Sequence, residues 1–136
     1  MGLIVANLYE WVIHKHVLHI MGKRKNSFWK FHWSDHHSQC RKNNNYDTTI
    51  YKKELLALSL LVLLHLPLFY VDIILLTTVI AYAILYYTIH RYSHTHPEWG
   101  KKHLRWHWDH HMGKNQDANW CILFPLWDYI LNTREK

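Results

Sequence analysis

Leu55–Ile89 reads LLALSLLVLLHLPLFYVDIILLTTVIAYAILYYTI, and apart from tyrosines its only ionisable residues are His65 and Asp72. A bilayer core is crossed by about 20 apolar residues, so this run is too long for one membrane helix and suits two. Leu55–Tyr70 and Ile73–Ile89 each extend about 25 Å at about 1.5 Å per residue, close to the hydrocarbon thickness. Pro67 and Asp72 then fall near a tight turn at the far interface. The competing reading is a buried helical hairpin in a soluble all-α protein. So small a domain has little chain left to cover such a block, which favours the membrane.

A hairpin that enters and leaves on one face puts residues 1–53 and 90–136 on the same side. All 16 Lys and Arg lie in those two arms. Cationic arms stay on the cytosolic side of a membrane, which places both there. The formal charge of +6 is thereby explained by topology rather than by nucleic-acid binding. The reading is an all-α integral membrane protein of one domain, 1–136, with a helical hairpin at about 54–89 and His-rich cytosolic arms, 1–53 and 90–136, forming a helical cap that holds metal. Its compartment would be the endoplasmic reticulum in a eukaryote or the inner membrane in a bacterium.

Residues 3–13 (LIVANLYEWVI) are too few to span, and read as an interfacial helix or the tail end of a spanning one. The N-terminus lacks the basic start and cleavage site of a signal peptide, and lacks the Ser or Thr at position 6 that myristoylation favours. Cys40 and Cys121 form no CxxC pair, which argues against a thiolate zinc site or a disulfide framework. NNNYD (43–47) reads as a turn.

The chain has 14 histidines, and most of them border the apolar block in spaced clusters. His14 and His19 are five apart. His32, His36 and His37 follow as HxxxHH, and His90 and His94 as HxxxH. His103, His107, His110 and His111 fall at i, i+4, i+7 and i+8, within roughly a 100° arc of one helix face. Pairs four apart, such as His32/His36, His90/His94 and His107/His111, share a face and can converge on one ion. His14 and His19 are about 140° apart on a regular helix, so they serve different ions or sit at a helix end.

Ten spaced histidines exceed what one ion takes and imply two. His65 reads as packed or lipid-facing, His16 and His96 as surface or supporting residues, and His103 is set aside. Imidazole suits Fe, Zn, Cu and Ni, and spaced positions filled by His rather than by Cys or Met argue against Cu(I). Two ions held by neutral imidazoles beside a bilayer suit O2 activation at an unactivated C–H bond better than hydrolysis, which more typically uses mixed carboxylate sites.

EWVIHKHVLH (10–19), FHWSDHH (31–37), HRYSH (90–94) and HLRWHWDHH (103–111) together resemble the histidine boxes of the fatty acid hydroxylase superfamily. That superfamily includes fatty acid 2-hydroxylases, sterol desaturases and carotenoid hydroxylases. NWCILFPLWDYILNT (119–133) is similar to the closing motif of its fatty acid hydroxylases, with Cys121 and Asn132 in place of glycines.

The resemblance implies a membrane non-haem oxygenase holding two iron ions, replaceable by zinc on isolation, with O2 as co-substrate and a lipid as substrate. Its implied ligands are His14, His19, His32, His36, His37, His90, His94, His107, His110 and His111. Asp128 would orient a ligand histidine or, alternatively, cap the last helix. Trp106, Trp108 and Trp127 would wall the pocket, whereas Trp11 and Trp29 would anchor at the interface.

The second box has three residues between His32 and His36 where two are common. Family members usually carry two membrane hairpins, and this chain begins near the end of the first. Electrons are expected from a separate cytochrome b5-like or ferredoxin-like protein, and homo-oligomerisation is one way to restore a hairpin. The implied reaction is hydroxylation of a lipid acyl chain. A carotenoid or sterol hydroxylase or desaturase, and an inactive membrane metal-binding protein, are the competing readings.

Overall fold

The computed structural model describes residues 1–135. It is all-helical, with no strand among the described residues. Helix α1 (Gly2–Val12) runs directly into a π-helix at Ile13–Met21, and a second π-helix (His32–His37) runs directly into α2 (Ser38–Lys42). Then come α3 (Lys52–His65) with a 3₁₀ turn at Leu66–Tyr70, and α4 (Ile73–Thr95). Short helices α5 (Pro97–His103), α6 (Arg105–Met112) and α7 (Leu126–Ile130) follow.

Lys52–Tyr70 and Ile73–Thr95 are both long and apolar enough to cross a membrane. Helix α3 buries no residue at all, and Leu60, Leu63, Leu64, Ile74, Ile84 and Leu85 are exposed along the pair. Apolar surface of that extent fits a membrane protein. Asp72 sits at the turn and caps α4 by accepting from the Leu75 N–H at 2.9 Å, worth about 1 kcal/mol.

Helix α4 continues past Ile89 to Thr95, so His90 and His94 ride on the same rigid helix as the apolar span. It stops at His96 (φ −130°, ψ 69°), because Pro97 disfavours helical geometry in the residue before it.

Helix α1 packs alongside α4: a Cβ added at Gly2 would meet Thr78 at 3.0 Å, and Asn7 donates to the Tyr82 hydroxyl at 2.8 Å. Both helices run toward the histidines, α1 into His14 and α4 into His90. Ala6, Asn7, Glu10 and Trp11 form the buried face of α1, while Leu3 and Ile4 stay exposed.

The stripe expected on one helix at His103–His111 is broken. Leu104 (φ −123°, ψ 52°) separates α5 from α6, leaving His103 exposed at the end of α5 while His107, His110 and His111 are buried on α6.

The closing segment folds back as a loop: Asn119 N donates to the Thr133 carbonyl at 2.9 Å, and Trp120 and Cys121 pack with Trp11. Asn132 takes φ 53°, the left-handed conformation glycine favours, so it serves in a glycine's place; Cys121 takes no positive φ.

Candidate metal centre

The buried polar interior is built largely from imidazoles. His14, His19, His32, His36, His37, His90, His94, His107, His110 and His111 are all buried. One ligand atom each from His14, His19, His32, His37 and His110 lie within 4.8 Å of one another, and so do those of His36, His90, His94 and His111. His107 belongs to neither compact group, but its Nε2 lies 3.1 Å from His94 Nε2.

Two of the expected pairings are corrected. His14 and His19 lie in one group, because a π-helix hydrogen-bonds i to i+5 and brings residues five apart onto one face. The same geometry at His32–His37 pairs His32 with His37 and sends His36 to the other group. The HxxxHH spacing therefore serves both groups at once. Gly22 ends the first π-helix, where any Cβ would strike the Leu18 carbonyl.

Backbone carbonyls fix several tautomers. A carbonyl only accepts, so His14 Nδ1–H donates to Trp120 O, His110 Nδ1–H to Ala118 O (2.7 Å) and His94 Nδ1–H to Asn45 O (3.1 Å). His36 Nδ1 likewise donates to the Asp47 carboxylate at 3.0 Å. Each of these rings is left with a bare lone pair on Nε2. His14 Nε2 faces His32 Nε2 at 3.1 Å, and His110 Nε2 meets His19 Nε2 at 3.1 Å and His37 Nε2 at 3.2 Å.

In the second group, His36 Nε2, His90 Nε2 and both ring nitrogens of His111 are buried with no hydrogen-bond partner among the described residues. Unpartnered buried nitrogens are costly, and lone pairs converging at such distances fit a cation between them.

Burial, with help from neighbouring imidazoles, lowers the pKa of His14, His19, His32, His37, His107 and His111. His110 is lowered to about 4, by burial first, although its bond to Ala118 opposes this. These rings are neutral at physiological pH, the form that binds metal. Asp47 is held low despite burial by His36, the Thr49 N–H and the Tyr51 hydroxyl, so it stays ionised beside His36.

Asp128 contacts no histidine among the described residues, nor does it cap α7. It accepts from Trp120 N (2.9 Å), Cys121 N (2.8 Å) and Thr133 Oγ1 (2.7 Å). It thus holds the loop whose Trp120 carbonyl meets His14.

Cys40 has its Sγ 3.4 Å from His94 Nδ1; burial pushes its thiol up, so it stays protonated. The supporting residues that spacing arguments missed are Asp47, Glu54 (3.4 Å from His90 Nδ1), Asp117 (3.6 Å from His19 Nδ1) and Asn45. Asn45 and Asp47 lie in the NNNYD turn, whose asparagine run was its legible signal, and Asn45 takes φ 67° there.

A cavity of about 300 Å³ opens between α1, α3 and α4 and ends on His14 and His32. Its walls include Val17, Leu18, Phe31, Leu58, Leu61 and Val79, with Tyr82 and Tyr86. Trp29, for which interfacial anchoring was expected, is among its lining residues. Trp106, Trp108 and Trp127 do not line it: Trp106 Nε1 donates to Ile122 O, and Trp127 Nε1 to Ile4 O.

A second, smaller cleft lies at His36, His90 and His94 and shares Glu54 with the first. His65 packs on Tyr9, His16 on Trp11, His96 on Tyr92 and His103 on Trp99, all apart from the two groups.

The family model described as fatty acid hydroxylase matches residues 1–133. No curated protein and no solved structure matches the chain.

Proposed function

The chain belongs to the fatty acid hydroxylase family, and from that premise we propose that it is a membrane non-haem di-iron oxygenase that hydroxylates a lipid chain with O2. The observation that carries this reading is the apolar cavity, which runs between the candidate spans and ends on histidines of the first group. A hydrocarbon chain entering from the bilayer would stop where those imidazoles begin.

His14, His19, His32, His37 and His110 would hold one iron, and His36, His90, His94 and His111 the other, with His107 beside the second. When bound, the irons supply reductive activation of O2 for oxidation of an unactivated C–H bond. One oxygen atom enters that bond and the other leaves as water, with two electrons from a separate cytochrome b5-like or ferredoxin-like donor and two protons.

The chain's own residues do the rest. Phe31, Leu58, Leu61 and Val79 keep water from the reacting carbon, and the Trp120, Ala118 and Asn45 carbonyls hold the rings in the ligating tautomer. The histidine cap faces the cytosol, as the cationic arms favour.

The test is a lipid comparison of cells with and without the chain, grown under oxygen-18. The expected result is a new hydroxylated lipid carrying oxygen from O2. Absence of any hydroxylated or desaturated product, with the protein present and metal-loaded, overturns the reading.

A further inference from the structure

The closing segment descends beside α1 in antiparallel order. Trp120 O accepts from His14 Nδ1–H, and Glu10 Oε1 accepts from Ile122 N and Leu123 N. Phe124 O then accepts from Asn7 Nδ2 at 3.0 Å, and Trp127 Nε1 donates to Ile4 O at 3.0 Å. As the segment advances, its partners recede along α1 from residue 14 to residue 4, about 15 Å at about 1.5 Å per residue. The chain then returns: Thr133 Oγ1 accepts from Trp11 Nε1 at 3.0 Å. Arg134 Nη1 and Glu135 N both donate to Asn119 Oδ1 at 2.9 Å, which ties the exit of the loop to its entry.

That descent leads away from the histidines and along the apolar spans. Helices α1 and α4 run parallel, with Gly2 beside Thr78 and Asn7 beside Tyr82, so Ile4 is level with the middle of the apolar stretch of α4. Tyr9 packs on His65, the last residue of α3, with ring centroids 5.3 Å apart, and Ile4 lies farther still from the histidines. Trp127 and α7 are therefore level with the candidate spans, not with Lys52 and Lys53 where α3 begins.

The outer surface of the loop suits that depth. Phe124 is 60 % exposed and Ile130 58 %, and Tyr129 and Leu131 are exposed with them. Between Ala118 and Thr133 the single charged residue is Asp128, which is fully buried. Charges resume at Asp117 on entry and at Arg134 and Glu135 on exit. An apolar face this free of charge, level with the candidate spans, fits contact with lipid.

Irregular backbone enters hydrocarbon only where protein satisfies its polar groups. Asp128 accepts from Trp120 N and Cys121 N, Glu10 takes the next two N–H groups, and Pro125 has none to satisfy. Leu126 N, Tyr129 N and Leu131 N donate to the carbonyls of Phe124, Pro125 and Trp127, and Ile122 O accepts from Trp106 Nε1. Asp128 and Glu10 thus do for this loop what water does at an aqueous surface.

We propose that Phe124–Leu131 is a re-entrant segment that dips into the bilayer from the histidine side and presents Phe124, Tyr129, Ile130 and Leu131 to acyl chains. Lipid contact here presupposes α3 and α4 in the membrane but not the oxygenase chemistry.

The test places the fluorophore NBD on a single cysteine, Phe124→Cys or Ile130→Cys, in the full chain in phosphatidylcholine nanodiscs. Both side chains are exposed, so neither substitution removes a packed group. Cys40 and Cys121 are fully buried, and labelling of the unsubstituted protein controls for them. Quenching by lipid carrying a nitroxide on its acyl chain reports contact with hydrocarbon, and quenching by iodide reports contact with water. Leu63→Cys on α3 and Lys114→Cys after α6, both at exposed positions, are the references.

The Phe124→Cys and Ile130→Cys probes should be quenched by the lipid nitroxide as strongly as Leu63→Cys and several-fold more than Lys114→Cys, with iodide giving the reverse order. Either position open to iodide like Lys114→Cys overturns the proposal. Shielding from both quenchers, the mark of a second copy or another protein on this face, overturns it too. If Leu63→Cys is itself open to iodide, the membrane reading of the hairpin fails, and the re-entrant segment with it.

Discussion

His14 Nε2 and His32 Nε2 face each other at 3.1 Å, while His14 Nδ1 is committed to the Trp120 carbonyl. The His14 lone pair is therefore aimed at its neighbour with no proton of its own between them, an arrangement a metal ion relieves. With its ligands in two groups, the purified chain should bind about two ions. His14→Ala or His110→Ala should lower the content to about one, and so should His94→Ala or His111→Ala, while a pair drawn from both groups should lose both. Elemental analysis decides this, and an unchanged content in all four single variants would refute the assignment.

Acid should unfold the metal-free chain. His110 is held at about 4 against 6.5 in the open chain, so the unfolded state takes the proton first. Its contribution is complete above about 6.5 and is lost as pH falls toward 4, on the order of 3 kcal/mol. Glu10 opposes this. Burial raises its carboxyl to about 7 against 4.5, so stability declines as pH rises between those values, by a similar order. His14, His19, His32, His37, His107 and His111 share the direction of His110, so the histidines win. Glu10→Gln removes the opposing slope. Melting temperature measured from pH 7 to 5 should fall with acid, and more steeply in that variant.

Asp128 acts on the metal through the backbone. Asp128→Ala strands the Trp120 and Cys121 N–H groups, at a cost on the order of 3 kcal/mol. It also frees the carbonyl that orients His14. Thermal unfolding should show the loss of stability, and metal titration should show weakening of the first group with the second retained. Equal weakening of both groups would mean the effect is global.

Filling the cavity should separate oxidation from metal binding. Ala57 lines the cavity on α3, which buries nothing, so Ala57→Phe adds bulk without displacing a packed core. Product formation should fall about tenfold or more, as expected when a chain is denied its pocket, while metal content stays unchanged. Retained activity would place the substrate elsewhere.

Asn45 sits at φ 67° and offers its carbonyl to His94. Asn45→Gly should leave the melting temperature nearly unaltered. Asn45→Ala should cost about 1–2 kcal/mol for forcing a Cβ into the left-handed region. Equal effects of the two would show that the side chain, not the backbone, matters there.

The apolar block and the histidine boxes were legible in the sequence because hydrophobicity and ligand chemistry are written in residue types. The division of ligands between the two groups was not. HxxxxH makes sense only on a π-turn, and nothing in IHKHVLHIM marks one locally: the extra residue per turn is held by packing around His14 and His19. Leu104 breaks its helix with neither proline nor glycine beside it, so periodicity carried across a boundary that tertiary contacts impose. Glu54 and Asp117 reach their histidines from 36 and 98 residues away along the chain, distances over which spacing carries no signal. Trp29 could have been found only by knowing that α3 stands off from α1.

Helix α3 contributes one wall of the cavity yet buries none of its own residues. Positions 55–65 can therefore mutate under little constraint from the histidine interior. That makes this helix a replaceable panel: successive changes there would alter the length or breadth of chain admitted, while the centre that does the chemistry is inherited intact.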